Sequence, residues 1–362
     1  MSVFKFNRNL FEEREKEIVS HGEMHAVAFR YSTGTPAVRI ENKRGYFIVL
    51  PFWGHQIWRM HFDGIDLGMI TEIEEPIEVP DFLDSYGCFL MHSGLCGVGG
   101  PGPEDNHKVH GDLPVAPFGD PAIECGEDKD GRYMIIHGTY EHYRTFSSHY
   151  TFTSSYKLYE NGTVVLLSVH IENLRQKEME YAYLCHINFR PFDGAKLLCT
   201  VPCDEKHIRV HKAIPASMPE KEAKALKAYM DAMQKTPEVH TKVDRTKQIY
   251  DPEIVSTLFY KGDEEGYAHT MQYREDGYAC YVKHPVEPLD HSLRWISRTP
   301  GEDAMGMVLP ASSEHKGYSH AKREGQIRTI AAGGTLDFDI SFGLLVPVEA
   351  EAMCKKIEKV LG

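Results

Sequence analysis

No stretch of the 362 residues approaches the roughly 18 consecutive apolar positions that a membrane-spanning helix needs, so no span is expected. Residues 1–17 are charged almost from the start and lack the apolar centre of a secretory leader. The eight cysteines form no Cys-x-x-Cys pair, which favours reduced, buried small hydrophobes over a disulfide framework. With no leader ahead of it, Asn161-Gly162-Thr163 reads as a hairpin turn, not as a glycosylation acceptor. The expected compartment is the cytoplasm. Clustered Lys and Arg are also missing from a chain of net charge −13, and without them a nucleic-acid partner is not expected. Repeats of 20–50 residues and low-complexity linkers are absent as well.

What is present points to strands. Hydrophobic residues make up 42% of the chain, and Tyr (19), Phe (17) and Gly (30) are plentiful. Segments such as 37–41, 46–52 and 56–62 are short, aromatic and β-branched, and turn pairs such as Asp63-Gly64 separate them. The clearest hairpin surrounds Asn161-Gly162, a pair suited to the positive φ values of a type I′ turn. Helix formers at helical spacing fill 219–235, which predicts an inserted amphipathic helix, a candidate cover or homodimer contact. A second helix is expected near 348–360. Together these features predict an all-β fold: one large antiparallel β-sandwich domain over 1–362, with a short helical insertion and a C-terminal helix.

Residues 81–118 are the most unusual segment, with seven glycines and the histidines His92, His107 and His110. A Gly-rich loop of this length is costly to order, which favours a functional role. The glycines let the backbone approach a ligand, while the histidines either exchange protons near neutral pH or bind a metal. The competing view is of turn glycines with surface histidines. A second segment, 181–194, alternates as a strand does. Tyr181, Tyr183, Cys185, Ile187 and Phe189 fall on one face and His186, Asn188 and Arg190 on the other. The second face is either a solvated strand side or a set able to bind the hydroxyls of a polyol.

These two segments resemble the aldose 1-epimerase (galactose mutarotase-like) superfamily, in particular its branch carrying the domain of unknown function 4432. The matching residues are Gly87–Leu95 leading into Val109-His110-Gly111-Asp112, and Tyr183-Leu-Cys-His186-Ile-Asn188-Phe-Arg190-Pro-Phe-Asp193. The Tyr159-Glu-Asn-Gly162 hairpin and the Glu172-Asn173 pair follow in the same order. The resemblance implies a β-supersandwich that opens a sugar ring at the anomeric carbon without a cofactor. It implies His186 as the acid that protonates the ring oxygen, with His110 orienting the substrate. A glutamate then accepts the anomeric proton. Where the family has that glutamate this chain has Leu309, in Met307-Val-Leu-Pro-Ala-Ser312, and leucine accepts no proton. Glu314, five residues on, is the expected replacement base, and Asp290 is a second carboxylate on the substrate side. His92, Asn188, Arg190, Asp290, Arg294 and Trp295 are the expected contacts to a small-molecule carbohydrate, and Lys316 joins Arg190 and Arg294 if the sugar is anionic. Two other readings stay open: a metal-dependent epimerase, isomerase or lyase whose divalent ion is held by histidines such as His92, His110, His186 and His315, and a non-catalytic sugar binder using its tryptophans.

Overall fold

The computed structural model describes residues 2–246 and 253–362. Alternating hydrophobicity sets the architecture. Along Ser148–Tyr159 and Val164–Asn173 every second residue is buried, as expected of strands with one face on a core. These two strands lie mid-way in a nine-stranded sheet that runs from Ser2–Lys5 at one edge to Lys196–Cys199 at the other. A second large sheet begins at Lys16–His21 and passes through Ile57–Phe62, Leu90–Leu95 and Met179–Ile187 to Arg328–Ile330. Pairing between named strands is antiparallel throughout. Inward side chains of both sheets merge into one core, with Phe47, Phe89 and Tyr183 facing Phe152, Tyr156 and Phe342. The all-β expectation therefore holds.

A third, four-stranded sheet sits beside the sandwich, in the order Ile208–His211, Ile254–Leu258, Leu293–Arg298, Asp303–Leu309. The inserted helix spans Glu220–Lys235 and packs Leu226, Tyr229, Met230 and Met233 against Ile208, Val210, Ile254 and Leu258. It thus covers one face of this small sheet. The opposite face carries Val255, Leu293, Trp295 and Leu309 and packs with Leu184 of the Met179–Ile187 strand. The terminal helix runs from Pro347 to Leu361 and buries Ala350 and Ile357.

Turn chemistry departs from expectation in one place. Neither Asn161 nor Gly162 has a positive φ, so the hairpin between Tyr159 and Val164 closes through a Gly162 N–H to Tyr159 C=O bond (2.9 Å) instead of a type I′ turn. Four residues, not two, separate the strands, and that length relieves the turn of its need for left-handed backbone. The left-handed pair occurs at Asp63-Gly64, with φ of 49° and 77° between strands ending at Phe62 and starting at Ile65.

Candidate active site

The cavity that unites the two sequence motifs lies between the Met179–Ile187 strand, the small sheet and the Gly-rich loop, and encloses about 320 Å³. That is at the lower end of small-molecule sites. Strand alternation decides what enters it. His186 pairs with Met91 across the ladder and both face the cavity, whereas their neighbours Cys185 and His92 point into the sandwich core.

His186 is held from behind. The Asn188 Nδ2 donates to the Cys88 carbonyl (2.9 Å), which turns Asn188 Oδ1 toward His186 Nδ1 (2.7 Å). The Tyr86 hydroxyl donates to the same amide oxygen (3.0 Å). An amide oxygen only accepts, so Nδ1 carries the ring proton and Nε2 is left without one in the neutral imidazole. Burial pulls the His186 pKa down to about 4, with the Asn188 hydrogen bond opposing only part of that shift.

His110 reaches the cavity from a strained loop. It has a φ of 58° and is followed by Gly111 at 76°. Its backbone is fixed by Gly94 N–H to His110 C=O (2.8 Å) and His110 N–H to Gly99 C=O (3.0 Å). Gly99 is obligatory here: its φ is 73°, and an added Cβ would come within 1.7 Å of the His315 carbonyl oxygen. Asp105 ties the loop to the Tyr318–Arg323 helix by accepting from the Gly102 and Ser319 backbone N–H groups, both at 2.9 Å. The His110 and His186 rings meet edge to face with centroids 5.3 Å apart. Burial first, and then repulsion from His186, His315 and His107, holds the His110 pKa well below the ordinary value.

Trp295 stands against His186 with ring centroids 5.2 Å apart, and its indole Nε1 donates to Glu253 Oε2 (2.5 Å). Glu253 lines the cavity and is the carboxylate among its described lining residues. Nothing in the local sequence pattern marks Glu253, which precedes the Ile254–Leu258 strand. Tyr86 lies inside the Gly-rich segment, and its place became readable only once His186 and Asn188 were seen to share its hydroxyl. His315, expected as a metal ligand, also lines the cavity.

Other expected site residues are placed elsewhere. His92 is buried in the sandwich, bonded to the hydroxyls of Tyr183 (2.9 Å) and Tyr156 (3.0 Å). The Met179–Ile187 strand ends before Arg190, so the expected alternation lapses there; Arg190 lies beside Gly68 and lines a separate hollow with Arg59 and Asp66. Arg294 points away from the cavity, between Leu293 and Trp295 which face it, and its Nε donates to the Met307 carbonyl (3.0 Å). Asp290 is paired with Arg328 (2.6 Å) and His291 (2.8 Å), away from the cavity lining. Glu314 is likewise outside the lining: its buried carboxylate meets Arg209 (2.8 Å), Thr257 (3.1 Å) and His320 (3.3 Å). Burial would raise its pKa, but His211, Lys316, His320 and Arg209 outweigh that and lower it, which makes Glu314 a poor proton acceptor. Trp53 and Trp58 are buried in a hydrophobic cluster behind Met91. Among the described residues, no three His, Cys, Asp or Glu side chains converge as metal ligands would.

The family described as "Domain of unknown function (DUF4432)" matches residues 32–344. No curated protein matches the chain. Among solved structures, a protein from Klebsiella pneumoniae provisionally named an aldose 1-epimerase superposes with a TM-score of 0.80 at 14% identity, over 100% of this chain and 96% of that one. A galactose mutarotase-like protein from Clostridium acetobutylicum gives 0.56 at 12% identity, covering 90% and 99%. The Slr1438 protein from Synechocystis gives 0.57 at 15%, covering 85% and 95%. At these identities the likeness is one of fold.

Proposed function

We propose, for a chain that belongs to the DUF4432 family, interconversion of the anomers of a sugar by opening and reclosing its ring. The observation that carries this reading is the meeting of His110, His186 and the Glu253 carboxylate in one cavity of about 320 Å³. Both oxygens that must exchange protons, the ring oxygen and the anomeric hydroxyl, are bonded to one carbon. Acid and base must therefore stand side by side, a reading supported by the contact that both His186 and Glu253 make with the Trp295 indole, the one against its ring and the other at its Nε1.

In the proposed cycle, protonated His186 gives its Nε2 proton to the ring oxygen while Glu253 takes the proton of the anomeric hydroxyl. The ring C–O bond breaks and the anomeric carbon becomes a carbonyl. The pair is left as neutral His186 and protonated Glu253, its total proton count unchanged. After rotation about the adjoining carbon–carbon bond the same two transfers run backwards and close the ring with the other configuration. His110, whose ring meets that of His186 edge to face, orients the sugar beside it. No electron leaves the substrate, and the residues present suffice for both transfers.

Saturation-transfer NMR on freshly dissolved aldoses measures the exchange of anomers directly. His186→Ala is expected to reduce it by about 10²–10⁴-fold, the usual contribution of a positioned acid. An unchanged rate in that variant would falsify the mechanism.

A further inference from the structure

The cavity has one side built for hydroxyls and one side that offers them nothing. Leu184, Val255, Leu293 and Leu309 form a continuous aliphatic wall in a single hydrophobic cluster. Leu293 lies directly across the ladder from Leu309, and Val255 across from Trp295. Exposure is 0% for Leu184, 1% for Leu293, 2% for Leu309 and 7% for Val255, so the wall is deep and well packed. Backbone groups do not make up the deficit. Val255, Leu293 and Leu309 lie in paired strands, and Leu184 pairs with Ser93 on one side and bridges Ala311 on the other. A sugar hydroxyl pressed against this wall leaves water and finds neither donor nor acceptor, whereas a methyl or methylene there gains by burial.

We infer that the substrate of this cavity is a deoxy sugar, seated with its deoxygenated carbon on the wall of Leu184, Val255, Leu293 and Leu309. The inference rests on the ring-opening function proposed above. Hydroxyls on the remaining carbons face His110, His186 and Glu253. On this account Leu309 serves the site as part of the surface that selects the sugar. Glu253, reaching the cavity from the start of a neighbouring strand, supplies the carboxylate.

The test compares sugars that differ by one hydroxyl: galactose with fucose and mannose with rhamnose, each in D and L forms, and glucose with 2-deoxyglucose. Anomeric exchange is followed by NMR with the full-length protein, and kcat/KM is taken for each member of a pair. The deoxy member of at least one pair is expected to exceed its hydroxylated partner by about tenfold or more, the scale on which a site discriminates against an unpaired hydroxyl. Leu309→Gln, which puts a hydrogen-bonding amide in the wall, is expected to remove most of that preference. Leu184→Asn serves the same purpose if circular dichroism shows the first variant unfolded. Equal or better turnover of the hydroxylated member in every pair overturns the inference and leaves the ring-opening function standing. A panel in which no sugar exchanges faster than in buffer overturns both.

Discussion

Two histidines one ladder step apart in space, His92 and His186, sit in opposite worlds. His92 faces the sandwich core with both ring nitrogens occupied, one by Tyr183 and one by Tyr156. His186 faces the cavity with Nδ1 bound to Asn188 and Tyr86 nearby, which leaves Nε2 open to a ligand. Burial depresses both, His92 to about 3 and His186 to about 4. Depth and a shifted pKa are therefore shared by a packing residue and a candidate acid. What separates them is a nitrogen that has no hydrogen-bond partner among the described residues and looks into a space the size of a small ligand.

The largest expected effects test that separation directly. His186→Gln should lower anomeric exchange by about 10²–10⁴-fold while shifting the melting temperature little, because the residue lines an open cavity. His92→Phe should do the reverse. It takes the ring partner from the Tyr183 hydroxyl inside the core, at a cost of about 1–3 kcal/mol, whereas the Tyr156 hydroxyl keeps its bond to the His55 carbonyl (2.7 Å) and the cavity keeps its groups. Thermal unfolding and NMR exchange on the two proteins settle the matter. If His92→Phe loses exchange out of proportion to its loss of folded protein, core and cavity are not the separate regions described.

The same contrast divides the carboxylates, with a smaller expected effect. Glu253→Gln should reduce exchange by about 10²-fold, the lower end for a lost proton acceptor, and leave sugar binding by calorimetry in place. Glu314→Gln should leave exchange near that of the parent and lower stability by about 1–2 kcal/mol. Its partners Arg209, Lys316 and His320 lose a buried anion, but Arg209 and Lys316 are themselves half-exposed and recover part of the loss in water. A strong loss of exchange in Glu314→Gln alone would return the base to the position expected from the sequence.

How much of this was legible beforehand depends on the range of each interaction. Alternation and turn residues are local, so the β-sandwich, the helices at 220–235 and 347–361 and the core face of Tyr181, Tyr183 and Cys185 could be read directly. His110 and His186 were marked by their segments, and the structure brings their rings to 5.3 Å. Arg190 was misplaced because a strand's end is set by tertiary packing and the alternation stops with it. Arg294 and Trp295 both looked suited to a sugar, yet neighbouring strand positions face opposite ways and only Trp295 enters the cavity. Glu253 left no trace, since its importance comes from a tryptophan 42 positions away. The 161–162 turn misled for a different reason: Asn-Gly permits left-handed backbone, but a loop of four residues does not demand it.

Acid sharpens the comparison with the mildest effect, because here the two histidines pull in opposite directions. In the unfolded chain each titrates near the ordinary 6.5, whereas in the fold His92 is held to about 3 and His186 to about 4. Between pH 6.5 and those values the unfolded chain binds protons that the native one refuses. The stability they contribute is thus present above pH 6.5 and is lost as the pH falls toward 3–4. His284, also held to about 3 by burial, adds to the same trend. The proposed reaction needs His186 protonated, and above its pKa that form grows about tenfold per unit of falling pH. Exchange per folded molecule should therefore rise from pH 7 toward pH 5 while the melting temperature falls. In His186→Gln the rise should vanish and the fall should persist, since His92 and His284 remain. A rate that is flat below pH 6.5 in the parent would mean that His186 titrates as an ordinary histidine, and the contrast between cavity and core would then lie in packing alone.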